Sequence, residues 1–325
     1  MDNEDFSSFN AIPTLDSIRA AYQKIGPLIN KTPILTSRLT NEKLGCNILA
    51  KCENFQKGGA FKYRGASLAV SLLDDKSTKL GVCTHSSGNH AQALSLAALN
   101  RGINAYVVMP DNSPEVKINA VKSYGGKITF CKPTLKDRES TLESVQAETG
   151  AKFIHPYNDY QIIHGQSTCF YEMLQQLDVV LDFLIVPVGG GGLISGTLLT
   201  SHYFSPNTKI IGAEPAMADD AFQSFIKKSL VPVVNPTTIA DGLKTSLGSL
   251  TFPLIIKYAD QIITVQEKTI KEAMFWVWEK MKIIIEPSAA VSLAVVLENY
   301  EKFRNKNVGV IFSGGNLDIR KPIWD

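Results

Sequence analysis

Along most of the chain, short apolar runs ending in turn residues alternate with segments whose apolar positions recur at helical spacing. This alternation predicts a parallel α/β architecture, because strands covered on both faces read as continuous apolar runs and need helical crossovers between them. Between 82 and 156 the units are compact. VCTH, AYVVM, ITFC and FIHP predict strands, separated by helices over 89–99, EVKINAVKSY and TLESVQAET. The flanking parts resume the alternation with longer elements. GQSTCFYEMLQQL, LISGTLLTSHYF, EKTIKEAMFWVWEKM and SAAVSLAVVLENYEKF read as helices, and FLIVPV, KIIGAE, QIITV and VGVIFS as strands. No internal repeat or low-complexity linker divides them. The expectation is an α/β chain of two domains, each an open twisted sheet with helices on both faces. Residues 1–81 and 157–325 form the larger domain, and 82–156 an inserted smaller one.

Composition leaves this picture intact. Of the 325 residues, 44% are hydrophobic and 20% charged, ordinary values for a soluble globular protein. The net charge of +2, spread along the chain, makes no electrostatic case for nucleic acid or an anionic membrane. The acidic start MDNEDFSSFN lacks a basic region followed by an apolar run, so no leader peptide is expected. The most apolar windows, DFLIVPVGGGG and MFWVWEKMKIII, are broken by glycine or charge well short of a membrane span. The five cysteines, Cys46, Cys52, Cys83, Cys131 and Cys169, are odd in number and form no CxxC pair. They predict free thiols in a reducing compartment, hence a cytoplasmic protein.

Candidate chemistry begins at GAFKYRGA, 59–66, where Lys62 sits among small and apolar neighbours. Leu68 and Leu72 stand four apart beyond it, so a buried helix face starts there and Lys62 lies near a helix N-terminus. The macrodipole and desolvation both disfavour an ammonium at that place and push it toward a nucleophilic amine, able to form a Schiff base with a carbonyl compound. A surface lysine with its stem on apolar neighbours is the commoner meaning of one such motif.

In VPVGGGGLISG, 186–196, a strand runs into four glycines and then a helix, an arrangement in which backbone N–H groups crowd around an anion. The dinucleotide fingerprint fails because Ile194 and Ser195 occupy its last position. The nucleotide P-loop fails because Thr197, not lysine, follows Gly196. A compact phosphorylated cofactor fits better. The loop HSSGNHAQA, 85–93, opens a predicted helix with hydroxyls, an amide and free N–H groups suited to a carboxylate, although Ser87 or Asn89 could simply cap that helix. Glu214, Asp219 and Asp220 follow a strand and could hold Mg2+ or Ca2+ with waters, or form a solvated acidic turn. His155, His164 and His202 lack metal-ligand spacing, and no Ser-His-Asp grouping can be argued from order alone.

GAFKYRGA, SSGNHAQA, VPVGGGGLISG, AEPAMADD, IEPSAA and SGGN occur in this order across nearly the whole chain. The set resembles the fold-type-II enzymes dependent on pyridoxal 5'-phosphate (PLP), which share a tryptophan synthase β-like fold and include the serine/threonine dehydratases and serine racemases. The likeness is greatest to the eukaryotic serine racemases. It implies that Lys62 carries the cofactor with Phe61 on the ring face, and that Asn89 meets the ring hydroxyl. It also implies that Gly189, Gly190, Gly191, Gly192 and Leu193 hold the phosphate, that Ser313 faces the ring nitrogen, and that Gly242 and Glu286 border the ring. Ser86, Ser87, Asn89 and His90 would surround the substrate carboxylate. Glu214, the carbonyl of Ala218 and Asp220 would hold Mg2+, or Ca2+ or Mn2+ in its place.

The resemblance further implies an activator role for ATP, held between the subunits of a homodimer by Asn30, Lys57, Gln92, Tyr124 and Asn316. The chain's end after SGGNLDIRKPIWD leaves no room for the regulatory domain of biosynthetic threonine dehydratases. Many threonine dehydratases have a motif resembling SAGN, with alanine where this chain has Ser87. A hydroxyl there, opposite Lys62, implies two-base racemisation of serine with accompanying dehydration to pyruvate and ammonia. Threonine or 3-hydroxyaspartate dehydration stays open on the same scaffold, since some fungal 3-hydroxyaspartate dehydratases share a similar double-serine motif. A non-catalytic small-molecule sensor is the remaining alternative.

Overall fold

The computed structural model describes residues 7–320. Residues 1–6 and the final KPIWD, on which the expectations about a leader and the chain's end partly rest, lie outside the described residues. The strands are β1 (Ile34–Leu35), β2 (Asn47–Cys52), β3 (Val82–His85), β4 (Ala105–Pro110), β5 (Lys127–Cys131), β6 (Lys152–Phe153), β7 (Phe183–Pro187), β8 (Lys209–Pro215), β9 (Gln261–Val265) and β10 (Asn307–Phe312). They form a six-stranded sheet in the order β1-β2-β10-β7-β8-β9 and a four-stranded sheet in the order β5-β4-β3-β6. All pairings are parallel except β1 with β2, where Ile34 lies opposite Lys51 in antiparallel register. The apolar pattern missed both of these strands. Two residues cannot display a period, and Lys51, fully buried in β2, reads as polar.

Fourteen α-helices accompany them: α1 (Leu15–Ile25), α2 (Arg38–Leu44), α3 (Lys62–Ser71), α4 (Asp75–Leu80), α5 (Asn89–Arg101), α6 (Glu115–Ser123), α7 (Leu135–Thr149), α8 (Tyr160–Leu174), α9 (Gly192–Phe204), α10 (Asp220–Lys227), α11 (Thr251–Tyr258), α12 (Glu267–Trp276), α13 (Pro287–Glu298) and α14 (Tyr300–Phe303), counted among the described residues. The single helix expected over 267–281 continues beyond α12 as a π turn, Val277–Met281. Along β7, Phe183 and Ile185 enter the core shared with α13, whereas Leu184 and Val186 enter the core shared with α8 and α9. The large sheet is thus covered on both faces, which is why β7 has no polar alternation.

Helix α3 belongs to both bodies. Its Leu68 and Ala69 pack with Leu94, Ala97 and Ala98 of α5, beside the small sheet. Its opposite side meets α8 at glycine: a Cβ built on Gly165 would lie 2.4 Å from Gly65 Cα. Only glycine permits that backbone approach. The N-terminus of α3, and Lys62 with it, therefore stands at the junction of the two sheets.

Candidate active site

The segment after β10 turns back along the chain preceding α3. Phe61 N donates to Ser313 O at 3.0 Å, Gly315 N donates to Gly59 O at 2.9 Å, and Ala60 bridges Gly314. Ser313 is thereby fixed beside the first turn of α3. Lys62 Nζ donates to Pro156 O at 2.7 Å, with its nitrogen 5.2 Å from the Phe61 ring centroid and 6.0 Å from that of Tyr157. Burial lowers its pKa from 10.5 to about 8. That outcome favours the amine reading over the surface-lysine reading, because the head group is enclosed by a carbonyl and two aromatic rings.

The four glycines lie where β7 meets α9. A Cβ on Gly190 would lie 2.3 Å from the Tyr157 ring, one on Gly189 would lie 3.0 Å from Gly242 O, and Gly191 has φ +90°. Thr251 Oγ1 pins the loop by donating to Gly190 O at 2.8 Å. No side chain caps α9, so its first-turn N–H groups remain open to an anion. Side chains at these glycines would fill the cradle. The residues present fit a phosphate group.

Asn89 is gripped from both sides. Its Nδ2 donates to Glu286 Oε1 at 2.7 Å, and its Oδ1 accepts from Asn316 Nδ2 at 3.0 Å. Burial, followed by the charge of Asp241, raises Glu286 to about 8, so this carboxyl is largely protonated near neutral pH. A Cβ on Gly314 would sit 2.6 Å from Glu286 Oε1, which explains glycine there. Asn316, expected at a nucleotide site, thus lies in the same cluster as Asn89. Among its supposed companions, Asn30 Nδ2 donates to Phe55 O and Lys57 Nζ to Leu28 O. Gln92 is buried in α5, and Tyr124 follows α6.

The N-cap position of α5 is Gly88, and no side chain caps this helix. The expectation that Ser87 or Asn89 might serve as a cap is therefore not met. Ser86 Oγ instead accepts from Gly88 N at 3.3 Å. The His90 ring is buried, with Nε2 3.2 Å from Ile154 O and Nδ1 without a partner. Burial and the nearby Lys62 push its pKa well below 6.5, keeping the imidazole neutral. With its ring committed inward, His90 offers a ligand its first-turn N–H.

Two cations missed by the motif search border this region. Lys117 pairs with Asp241, and its Nζ would lie 3.9 Å from a Cβ on Gly88. Arg138 Nε is buried without a hydrogen-bond partner. Burial, then the Arg138 charge, lowers His85, whereas burial, then Asp220, raises Tyr157 despite the guanidinium. Neither had a local signal, since each is one of two basic residues on its helix, with no motif around it. Tyr157 was also missed; its place in HPYN, just past a strand of the small sheet, was the available clue.

At the acidic turn, Glu214 accepts from Ala221 N at 2.9 Å and from Phe222 N at 2.8 Å. Both Asp220 oxygens are buried and lack a hydrogen-bond partner. Burial raises Asp220 to about 7, and burial followed by Asp220 raises Glu214 well above its usual range. A buried carboxyl without a partner, Asp220, close enough to Glu214 to raise it, is a donor type that suits a hard cation with waters completing its shell. No group of three or more His, Cys, Asp or Glu side chains is disposed for a metal among the described residues. Glu214, Asp219 and Asp220 therefore do not form such a group by their side chains alone. All five cysteines are buried and unpaired, and no helix among the described residues is long and apolar enough to cross a membrane.

An amine held partly neutral beside an anion cradle is what a lysine-linked phosphorylated aldehyde requires, and comparison with known proteins supplies the class. A profile described as pyridoxal-phosphate dependent enzyme matches residues 25–314, and the chain belongs to that family. Its fold is the type-II PLP fold. Within the family, it is 48% identical to a β-hydroxyaspartate dehydratase of Paracoccus denitrificans over 97% of this chain and 99% of that one. It is 47% identical to a serine racemase of Dictyostelium discoideum, over 95% and 96% of the two chains. The solved structure of maize serine racemase superposes with a TM-score of 0.93 at 42% identity, covering 95% of each chain. The chain is a PLP-dependent enzyme of the racemase and ammonia-lyase group.

Proposed function

We propose that the enzyme interconverts L- and D-serine with two proton carriers and also dehydrates serine to pyruvate and ammonia. Bound PLP supplies the electron sink that makes the Cα proton of an amino acid labile. Lys62 carries the cofactor, Phe61 covers its ring, Gly189 through Leu193 hold its phosphate, and Asn89 meets its hydroxyl. Gly242 and Glu286 border the ring. Ser313, a hydroxyl rather than a carboxylate, leaves the ring nitrogen without an anionic partner. Ser86, Ser87, Asn89 and the His90 N–H bind the substrate carboxylate at the uncapped end of α5. Lys62 Nζ moves the Cα proton on one face, and Ser87 Oγ on the other.

The observation that carries this reading is the Ser87 hydroxyl. It caps nothing, although it directly precedes the N-cap of α5, and it forms no hydrogen bond among the described residues. Its helix begins close enough to Lys62 for that charge to lower His90. On the same reading, 82–156 is an inserted domain and Glu214, Ala218 and Asp220 bind Mg2+. ATP acts as an activator in a cytoplasmic homodimer, bound through Asn30, Lys57, Gln92, Tyr124 and Asn316.

A second reading, dehydration of 3-hydroxyaspartate, is favoured by the paired cation Lys117 and the unpartnered Arg138. A second substrate carboxylate would find a guanidinium there, whereas serine would leave it unused. Chiral product analysis decides between them. L-serine and both 3-hydroxyaspartate series are supplied to the purified enzyme, with and without Mg2+ and ATP. D-serine formation supports the first reading. Ammonia release from 3-hydroxyaspartate with no D-serine from L-serine replaces it with the second.

A further inference from the structure

Four of the five residues that follow β6 are tied to parts of the site. Ile154 O meets His90 Nε2 at 3.2 Å, and Pro156 O accepts from Lys62 Nζ at 2.7 Å. The Tyr157 ring lies against Gly190, and the Tyr157 Cβ and backbone lie against Gly192. Asn158 Oδ1 accepts from Leu250 N at 2.8 Å, beside the Thr251 that pins the glycine loop. This strap crosses from the small sheet to the large one, so its shape sets the spacing between the amine and the phosphate cradle.

One imidazole nitrogen shapes it. His155 Nδ1 accepts from Tyr157 N at 3.3 Å and from Asn158 N at 2.9 Å. Acceptance from the N–H groups two and three residues ahead is the geometry of an Asx turn, in which an Asn or Asp side-chain oxygen does the accepting. In histidine, Nδ1 is the same number of bonds from the backbone as Oδ1 is in asparagine. The Tyr157 ring stands edge-on at 4.7 Å and the His85 ring at 6.2 Å. Burial, then His85 and Lys62, lower His155 to about 4. The ring is neutral, with its proton on Nε2, and Nδ1 keeps its lone pair for the strap.

We propose that His155 is a positioning residue: its Nδ1 replaces the oxygen of an Asx turn and so aims the Pro156 carbonyl at the Lys62 amine and the Tyr157 ring at the glycine loop. The inference rests on the reading of Lys62 as the cofactor's lysine, but its geometry involves no bound group. It also accounts for HPYN as a unit, where the sequence alone showed only that His155 lacks metal-ligand spacing.

The test compares His155→Leu with His155→Asn in the full-length chain. Two quantities are read: the pH midpoint for acetylation of Lys62 in cofactor-free protein, mapped by peptide mass, and the affinity for PLP. His155→Leu is expected to move the midpoint away from about 8, because the Pro156 carbonyl no longer meets the amine, and to weaken PLP binding about tenfold. His155→Asn is expected to stay within about twofold of the parent, because it keeps the acceptor. Parental behaviour of His155→Leu in both measurements would overturn the proposal. So would a folded His155→Asn showing the midpoint shift and affinity loss expected for leucine. If His155→Leu does not fold, the asparagine variant decides alone on the same terms. A parent chain that takes up no PLP refutes the cofactor reading instead, and the Lys62 midpoints still judge His155.

Discussion

Arg64 and Glu53 meet through two parallel hydrogen bonds, Nε to Oε2 at 2.7 Å and Nη2 to Oε1 at 2.8 Å, with both side chains sealed from solvent. Glu172 of α8 accepts from the same guanidinium at 2.8 Å and from Lys51 Nζ at 2.7 Å. Two cations and two anions thus balance inside the protein, two residues beyond Lys62, and lock the first turn of α3 to β2 and α8. Burial would raise Glu172, but Arg64 and Lys51 outweigh it and hold the carboxyl below its usual 4.5.

Removing one member should be costly, because it leaves a buried charge without its partner. Glu172→Gln is expected to lower stability in urea unfolding by about 3–5 kcal/mol. The wild-type contribution is complete above 4.5 and disappears as pH falls through the depressed folded value. The stability gap between the two proteins should therefore narrow in acid. A loss under about 1 kcal/mol at neutral pH would mean that the network is an ordinary surface-like pair.

The lowered pKa of Lys62 makes uptake of PLP pH-dependent. The reactive form is the neutral amine, so the initial rate at which cofactor-free protein develops the yellow lysine-bound band should rise with pH and level off above about 8. Lys62→Ala should show no such band. A rate that climbs toward 10.5, the ordinary lysine value, would show that the amine is solvated.

Ser87→Ala separates the two faces of the substrate. Racemisation and D-serine turnover should fall by about 10²–10⁴-fold, the usual worth of a positioned proton carrier. Some dehydration of L-serine should survive, because Lys62 still serves its own face. Equal loss of every activity would reduce Ser87 to a binding residue, and unchanged racemisation would remove it from the mechanism.

The acidic turn offers a metal test that does not depend on turnover. Asp220, raised to about 7 by burial, must lose its proton to bind a cation. Mg2+ should therefore raise the Tm more at pH 8 than at pH 6, about one unit on either side of that value. The sign follows from linkage: a carboxyl raised in the fold costs stability as pH climbs past 3.8 toward about 7, and a bound cation removes that cost. Asp220→Asn should abolish the Mg2+ response while stabilising the metal-free protein at pH 8. Identical Mg2+ shifts in both proteins would place the ion elsewhere.

The strand–helix alternation and the glycine loop were legible because each is a local pattern: apolar runs, helical spacing, and four glycines between a strand and a helix. The start of α3 at Lys62 was legible for the same reason, from the leucine spacing downstream. Strand β2 was not, because Lys51 neutralises its charge against Glu172, a residue more than a hundred positions away. Likewise, whether Ser87 caps α5 depends on the N-cap falling at Gly88. Asn316 joins Asn89 because β10 delivers SGGN onto the chain before α3.

By itself, then, the order of residues determined most of the elements, β1 and β2 excepted, and the chemical inventory: one amine, one anion cradle, one carboxylate loop and an acidic turn. Tertiary structure decided which protonation state each member holds. Lys62 and Glu286 both sit near 8, from opposite starting points of 10.5 and 4.5. Desolvation makes either charge costly, and desolvation exists only where segments distant in the chain have closed together.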